Sequence, residues 1–591
     1  MWRSQESRFQ YVKVKELNML QTLRVTLFVA FIASQFFAIS AQSAAPAAPP
    51  SPQSSPAAAP LPAGAPPAGP LADALAFYRK GEFDAAIQKY QQILQENPKS
   101  SDAYAGMARA YLKKKDVAQA DETVKQGLQL AEGPSLHVAL GEVEFRQGKI
   151  SAAEQEWVTV INSGHPEARA YLGLARVRWA VSMYKSGQDM IEKAHQLDPA
   201  DPEIRRVWVG KLSLSERIKF LQEYLDGENN EDEETRTAMR HYLEYLIARQ
   251  KDPRGTCHLI GKTETTETPL VRLLIDPNHI RGYGLAVTVN NEKSKLLLDT
   301  GASGIMINRS LAEKAGVTRL SSVEFDGIGD KGNKSGYMAL ANSLKVGDLE
   351  FQNCPVQVIE ARSVVGEDGL IGPDVFSGFL VDLDFPNETL RLRQLPKRPA
   401  ETAAPLALKT NEEDADEKDG ESESQPSATT ASKPAAAPTR SGPYDRYIAP
   451  EMKSYAVVFR FGHALLVPTS IGPANSSARL FLLDSGAAMN QITPAAASEI
   501  TKVHGDSSTT IKGISGSVKK VYSADKVTLL FGHVRQENLD LVTFDLTHMS
   551  DRFGTEVSGI LGFAVLHYLD VKIDYRDGLV DFSYVPKPFS R

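Results

Sequence analysis

A chain of 591 residues has room for several domains, and its formal charge of −7, from 66 Lys and Arg against 73 Asp and Glu, is too evenly balanced to steer it to nucleic acid. No Lys/Arg cluster interleaves with aromatics, so DNA and RNA are excluded as partners. No His/Cys spacing suits zinc, so neither a metal nor another cofactor is expected.

In chain order, Val25 to Ser40 is an apolar run preceded by Arg24 and interrupted by Gln35. It fits an export signal over residues 1–41, with Met19 as an alternative start, and places the mature protein in a periplasm or outside the cell. Anchoring through residues 25–40 is the alternative. Residues 42–70, rich in Ala and Pro, and residues 396–445, which carry the acidic block 411–419, hold too few large apolar side chains to bury a core. Both are expected to be linkers. The two cysteines, Cys257 and Cys354, fit either one disulfide or two separate thiols.

Residues 71–250 lose every strand pattern and repeat themselves. Phe77 to Ala86 aligns with Tyr111 to Ala120 at a spacing of 34 residues, Phe145 to Ala153 continues the series, and Asn97-Pro98, Gly133-Pro134, His165-Pro166 and Asp198-Pro199 keep the same beat. Helix formers with small residues at that period resemble the tetratricopeptide repeat. The resemblance implies stacked helix pairs whose concave face binds a protein partner or substrate. Tyr78, Tyr90, Tyr104, Tyr111 and Trp157 are expected to be the interlocking core.

After Pro269 short alternating strands take over. Gly284 to Asp299 predicts a hairpin about an Asn-Asn-Glu-Lys turn, its second strand running into Leu-Leu-Leu-Asp-Thr-Gly-Ala-Ser at 296–303. A glycine-rich tip spans 325–336, Asp368 to Phe376 follows, and Val381 to Leu392 predicts a closing hairpin. The same order returns in residues 446–591. Phe-Leu-Leu-Asp-Ser-Gly-Ala-Ala at 481–488 is followed by a glycine-rich tip at 511–518, by Ser558 to Leu566, and by a terminal hairpin through Phe582. Glycine after each Asp-Thr or Asp-Ser lets the backbone turn tightly under the carboxylate. A buried strand ending on a charge in both copies points to paired carboxyls, which share a proton and work as acid and base.

Those motifs, in that order, resemble the retropepsin-like aspartic peptidases. The resemblance implies a multidomain architecture, an α-helical solenoid followed by two all-β lobes at 265–395 and 446–591. It implies Asp299 and Asp484 as catalytic residues, 185 positions apart. Thr300, Gly301, Ser485 and Gly486 would form the supporting loops, with the hydroxyls tying one lobe to the other. Flaps would carry Gly327, Ile328 and Gly329 in one lobe and Gly513, Ile514 and Gly516 in the other, with Gly372 and Gly562 as the glycines of the second motif. The lobes would pair within one chain or as a homodimer, and the substrate would be an extended peptide or protein. The second lobe departs from the first at Ala488 for Ser303 and at Phe563 for Pro373. An inert peptidase-like scaffold in the cell envelope is the rival reading.

Overall fold

The computed structural model describes residues 10–12, 69–398 and 445–584, apart from positions 165, 228, 262, 278, 326, 330, 331, 365, 473–475, 506–508 and 510. The export signal and both linkers therefore lie outside the described residues except at their edges and at Gln10–Val12, a short strand parallel to Val534–Gln536.

Antiparallel helix pairs run from Pro70–Arg79 to Glu233–Lys251. Their ends follow local chemistry: Ser100, Asp116 and Asp201 cap helices through side-chain acceptors, and Pro70 and Pro134 open two others, where a missing N–H costs nothing. Glycines mark the crossings. A Cβ on Gly106 would meet the Tyr90 ring at 2.3 Å, and one on Gly173 would meet the Trp157 indole at 2.4 Å. Tyr78, Tyr90, Tyr104 and Trp157 are buried, and Tyr111 packs on the cluster of the three tyrosines.

Buried charges also pack together within this array. Arg169 pairs with Glu142 and Asp201, both at 2.9 Å, and with Glu203 at 3.2 Å, while Tyr78 donates to Glu203 at 2.7 Å. Asn229–Glu231 folds back over the array: Glu231 accepts from Tyr224 at 3.1 Å and pairs with Arg206 at 3.3 Å, and Asn230 lies against Gly81. The charges are spent on one another because they are buried together.

Each β lobe has one sheet, laid out in the same order. In the first, Leu349–Ile359 is followed by Ile305–Asn308, Gly369–Ile371, Glu292–Leu298, His279–Val289, Lys334–Val346 and Thr318–Phe325. In the second, Val534–Thr543 is followed by Gln491–Ile492, Gly559–Leu561, Ala478–Leu483, Ala464–Ile471, Tyr522–Phe531 and Val503–His504. The terminal hairpins of both lobes join in a six-stranded sheet, in which Val381 faces Ile573 and Leu383 faces Val571. One buried core, including Leu285, Leu298, Phe376, Leu483, Phe531 and Phe582, extends through both lobes. Cys257 and Cys354 form a disulfide, fastening the segment after the last helix to strand Leu349–Ile359.

The helices are not a detached module. Val138, Phe145, Trp157 and Leu174 share a buried cluster with Leu466, Leu480, Leu482 and Ile560 of the second lobe, and the Phe145 and Phe461 rings stand 6.1 Å apart. Arg146 pairs with Asp551 at 2.7 Å, and the Thr555 hydroxyl donates to the Phe145 carbonyl at 2.7 Å. Tyr245 and Leu246 of the last helix pack with Leu320 and Met338 of the first lobe. Both lobes are thereby braced by the repeats.

Candidate active site

Two apolar strands, Glu292–Leu298 and Ala478–Leu483, are buried toward their C-terminal ends, and each delivers an aspartate to the lobe interface. Parallel neighbours hold the delivery in register: Asp299 N–H donates to Ile371 O and Asp484 N–H to Leu561 O, both at 3.0 Å. Each chain then turns under its own carboxyl. Gly301 N–H donates to Asp299 Oδ1 at 2.8 Å, and Gly486 and Ala487 N–H donate to Asp484 Oδ1 at 2.9 Å.

The two turns interlock through hydroxyls. Thr300 Oγ1 accepts from Ser485 N–H at 2.8 Å and donates to Leu483 O at 2.9 Å; Ser485 Oγ accepts from Thr300 N–H at 3.1 Å and donates to Leu298 O at 2.9 Å. All four bonds are buried, so loss of either hydroxyl strands backbone groups where water cannot replace it. Ser485 performs every bond that Thr300 does. The glycines are required for a different reason. A Cβ on Gly301 would lie 2.8 Å from Asp484 Cγ, and one on Gly486 would lie 2.6 Å from Asp299 Cγ. Each lobe's glycine is the floor beneath the other lobe's carboxyl.

Both carboxyls are fully buried. Burial pushes Asp484 up to about 6, against the opposing pull of hydrogen bonds from Ala487 N–H, the Asp299 carboxyl and Gly486 N–H. A pair of this kind keeps a proton between its members well above the ordinary carboxylate range, and the proton belongs to the pair.

The flap residues meet over this site. Gly327 N–H donates to Ser515 Oγ at 3.1 Å, and Gly513 lies so close beneath Ile328 that a Cβ would come within 2.2 Å of the Ile328 carbonyl. Gly329, at φ +135°, and Gly516, at φ +96°, adopt conformations that side chains disfavour. The tips cross over. Ile328 of the first lobe is buried in the second lobe's cluster with Ala487, and Ile514 of the second packs on the first lobe's cluster with Ala302. Gly372 and Gly562 lie beneath the two aspartate turns, where a Cβ would meet Ala302 O and Met489 O, both at 2.3 Å.

The departures at 488 and 563 are linked in space. In the first lobe Ser303 Oγ donates to Asp374 at 2.9 Å and Gly304 N–H donates to the same carboxyl at 2.9 Å. In the second lobe Ala564 stands where Asp374 would, so a hydroxyl at 488 would have no acceptor there. Phe563 uses the N–H that Pro373 lacks, donating to Ala487 O at 2.7 Å, and its ring packs on Tyr283 and Phe385.

Sequence reasoning missed His463. Buried in the turn Gly462-His463 of the second lobe, it donates from Nε2 to the Gly301 carbonyl at 3.2 Å, holding the first lobe's aspartate turn. Burial, then Arg552, lower it to about 3, so the imidazole is neutral. Arg460 anchors the same turn, donating to Gly462 O, to Tyr575 O and to the Tyr184 hydroxyl of the repeats at 2.7, 2.7 and 2.9 Å. No motif surrounds His463; its one signal is a histidine beside a glycine in a turn between two apolar strands.

Residues 285–375 match the family model described as Aspartyl protease, and residues 77–140 match a Tetratricopeptide repeat model. The UBA domain-containing protein Mud1 of Schizosaccharomyces pombe is 33% identical over 108 residues, 18% of this chain and 31% of that protein. The chain thus spans under a third of that relative. Among solved structures, a retropepsin-like aspartic protease from Rickettsia conorii is 23% identical, covering 22% of this chain and 92% of its own, with a TM-score of 0.17. The aspartic proteinase from Irpex lacteus is 12% identical, covering 54% and 97%, with a TM-score of 0.31. The chain is a multidomain protein of helical and β parts. It joins a helical region that matches a tetratricopeptide repeat model to a β region that matches an aspartyl protease model.

Proposed function

We propose that the protein is an aspartic endopeptidase whose catalytic pair is Asp299 and Asp484 of one chain. The observation that carries the reading is the mutual seat of the carboxyls, each pressed on the other lobe's glycine and both buried. An inert interface has no use for two buried acids, which cost free energy unless they share a proton. A water held between them loses a proton to the charged carboxyl as it attacks the scissile carbonyl. The protonated carboxyl donates a hydrogen bond to the developing oxyanion, then passes its proton to the leaving nitrogen. No covalent intermediate forms.

The joint terminal sheet and the four interlocking hydroxyl bonds support a site completed within one chain rather than by a second copy. The repeats serve as a protein-binding module, which here binds the chain's own lobes, and surfaces outside those contacts recruit a substrate or partner protein. The disulfide is in keeping with an exported protein.

The test is cleavage of an unfolded protein mixture by the full-length chain from about pH 4 to about pH 8. Cleavage should be greatest where the pair holds a single proton and fall on either side of that range. In water enriched in oxygen-18, one labelled oxygen should enter each new carboxylate. A folded protein that cuts nothing across that range would refute the proposal and leave a scaffold.

A further inference from the structure

The two faces on which the flap tips rest differ in polarity at one pair of equivalent positions. Seven positions after each aspartate stand Met306 and Gln491. Met306 faces Leu370 on a neighbouring strand and belongs to the apolar cluster of Leu297, Ala302, Phe325 and Leu370, on which Ile514 packs. Gln491 faces Ile560 and Val542, which belong to the corresponding cluster with Leu482, Ala487 and the flap residue Ile328. Residues paired directly across strands share a face of the sheet. The Gln491 side chain therefore lies on the face of the second lobe's sheet that carries this cluster, Ile328 included.

Gln491 is fully buried, and among the described residues neither Oε1 nor Nε2 has a hydrogen-bond partner. Buried carboxamides are almost always satisfied, and methionine fills the equivalent place without any polar group. An unmatched donor and acceptor held side by side, under a flap that must lift to admit substrate, form half of a recognition pair.

We propose that Gln491 is a specificity-determining residue, pairing with a carboxamide side chain, Asn or Gln, of the peptide once Ile328 withdraws. A carboxamide offers the complementary acceptor and donor side by side, so two bonds form where none exist in the closed state. The equivalent place over Met306 takes an apolar side chain, and the two sides of the cleft are thus unlike. The inference rests on the cleft being the peptide-binding site proposed above.

The experiment is peptide binding to the full-length protein carrying Asp484→Asn, so that nothing bound is cut. Extended, otherwise apolar peptides labelled for fluorescence anisotropy carry Leu or Gln at each position in turn. At one position Gln should be favoured over Leu by about ten-fold, the worth of one well-made hydrogen bond. Gln491→Met should abolish that preference, and Met306→Gln should create a second one at a different position. A Gln preference that survives Gln491→Met, or its absence at every position, overturns the proposal. Should the parent cut no peptide while the preference and its loss are both seen, the peptidase reading fails and the subsite stands.

Discussion

Replacing Asp484 by Asn should stabilise the protein at neutral pH and leave it unchanged in acid. Asn keeps an Oδ1 acceptor for the Gly486 and Ala487 N–H groups, so the turn is preserved while the titrating proton is removed. In the fold the Asp484 carboxyl rises from an ordinary 3.8 to about 6, chiefly by burial. A carboxyl raised by folding contributes stability that is complete below its unfolded value and is lost as pH climbs through its folded value. At about 1.4 kcal/mol for each tenfold change in proton affinity, that loss amounts to about 3 kcal/mol once the pH is well above 6. Spread over lobes of this size, it corresponds to roughly 4 to 5 °C in Tm. Thermal unfolding of parent and Asp484→Asn at about pH 4 and about pH 7.5 reads it directly. The substitution should raise Tm only at the higher pH. An equal gain at both values, or a loss at neutral pH, would refute the assignment of a strained, proton-holding carboxyl.

Three further expectations follow from the same geometry. Gly486→Ala drives a methyl to 2.6 Å from Asp299 Cγ, and with the pair displaced the cleavage rate should drop by at least about 100-fold, whereas Gly505→Ala, with nothing within 4 Å, should leave it intact. Thr300→Ala leaves Ser485 N–H and Leu483 O unpaired and should cost about 2 to 4 kcal/mol in urea unfolding, while Thr300→Ser restores most of it. Phe145→Ala should cost about 3 to 5 kcal/mol, and hydrogen exchange should show lost protection in Phe459–Phe461 and Ala478–Leu483 as well as in the helices, because the cluster belongs to both. Loss confined to the helices would show that the repeats do not brace the lobe.

What was legible in the sequence was whatever is encoded in a short run. Asp-Thr-Gly and Asp-Ser-Gly each fix a strand end, a hydroxyl and a sharp turn in consecutive residues, and the order of elements repeats, so the duplicated β architecture could be read directly. The 34-residue period did the same for the helices, since each unit places its small residues where an aromatic must enter. Long-range relations were not legible. His463 lies 162 residues from the Gly301 carbonyl it holds, and nothing near it in sequence announces that partner. In sequence the exchange of Ser303 for Ala488 is an isolated departure; contact shows that it goes with the exchange of Asp374 for Ala564. Phe145 and Trp157 carry the same helical spacing whether they face a neighbouring repeat or a β lobe, so the brace between the two was invisible. The same holds for Arg169, whose partners come from three separate stretches of chain.

The most direct measurement is complementation between two single variants of the full-length protein, Asp299→Asn and Asp484→Asn, assayed for cleavage separately and then after being unfolded and refolded together. If one chain supplies both carboxyls of one site, the parent cuts, each variant alone is inactive, and the refolded mixture remains inactive. Cleavage by either variant alone, or its return in the mixture, would contradict a catalytic pair completed within a single chain.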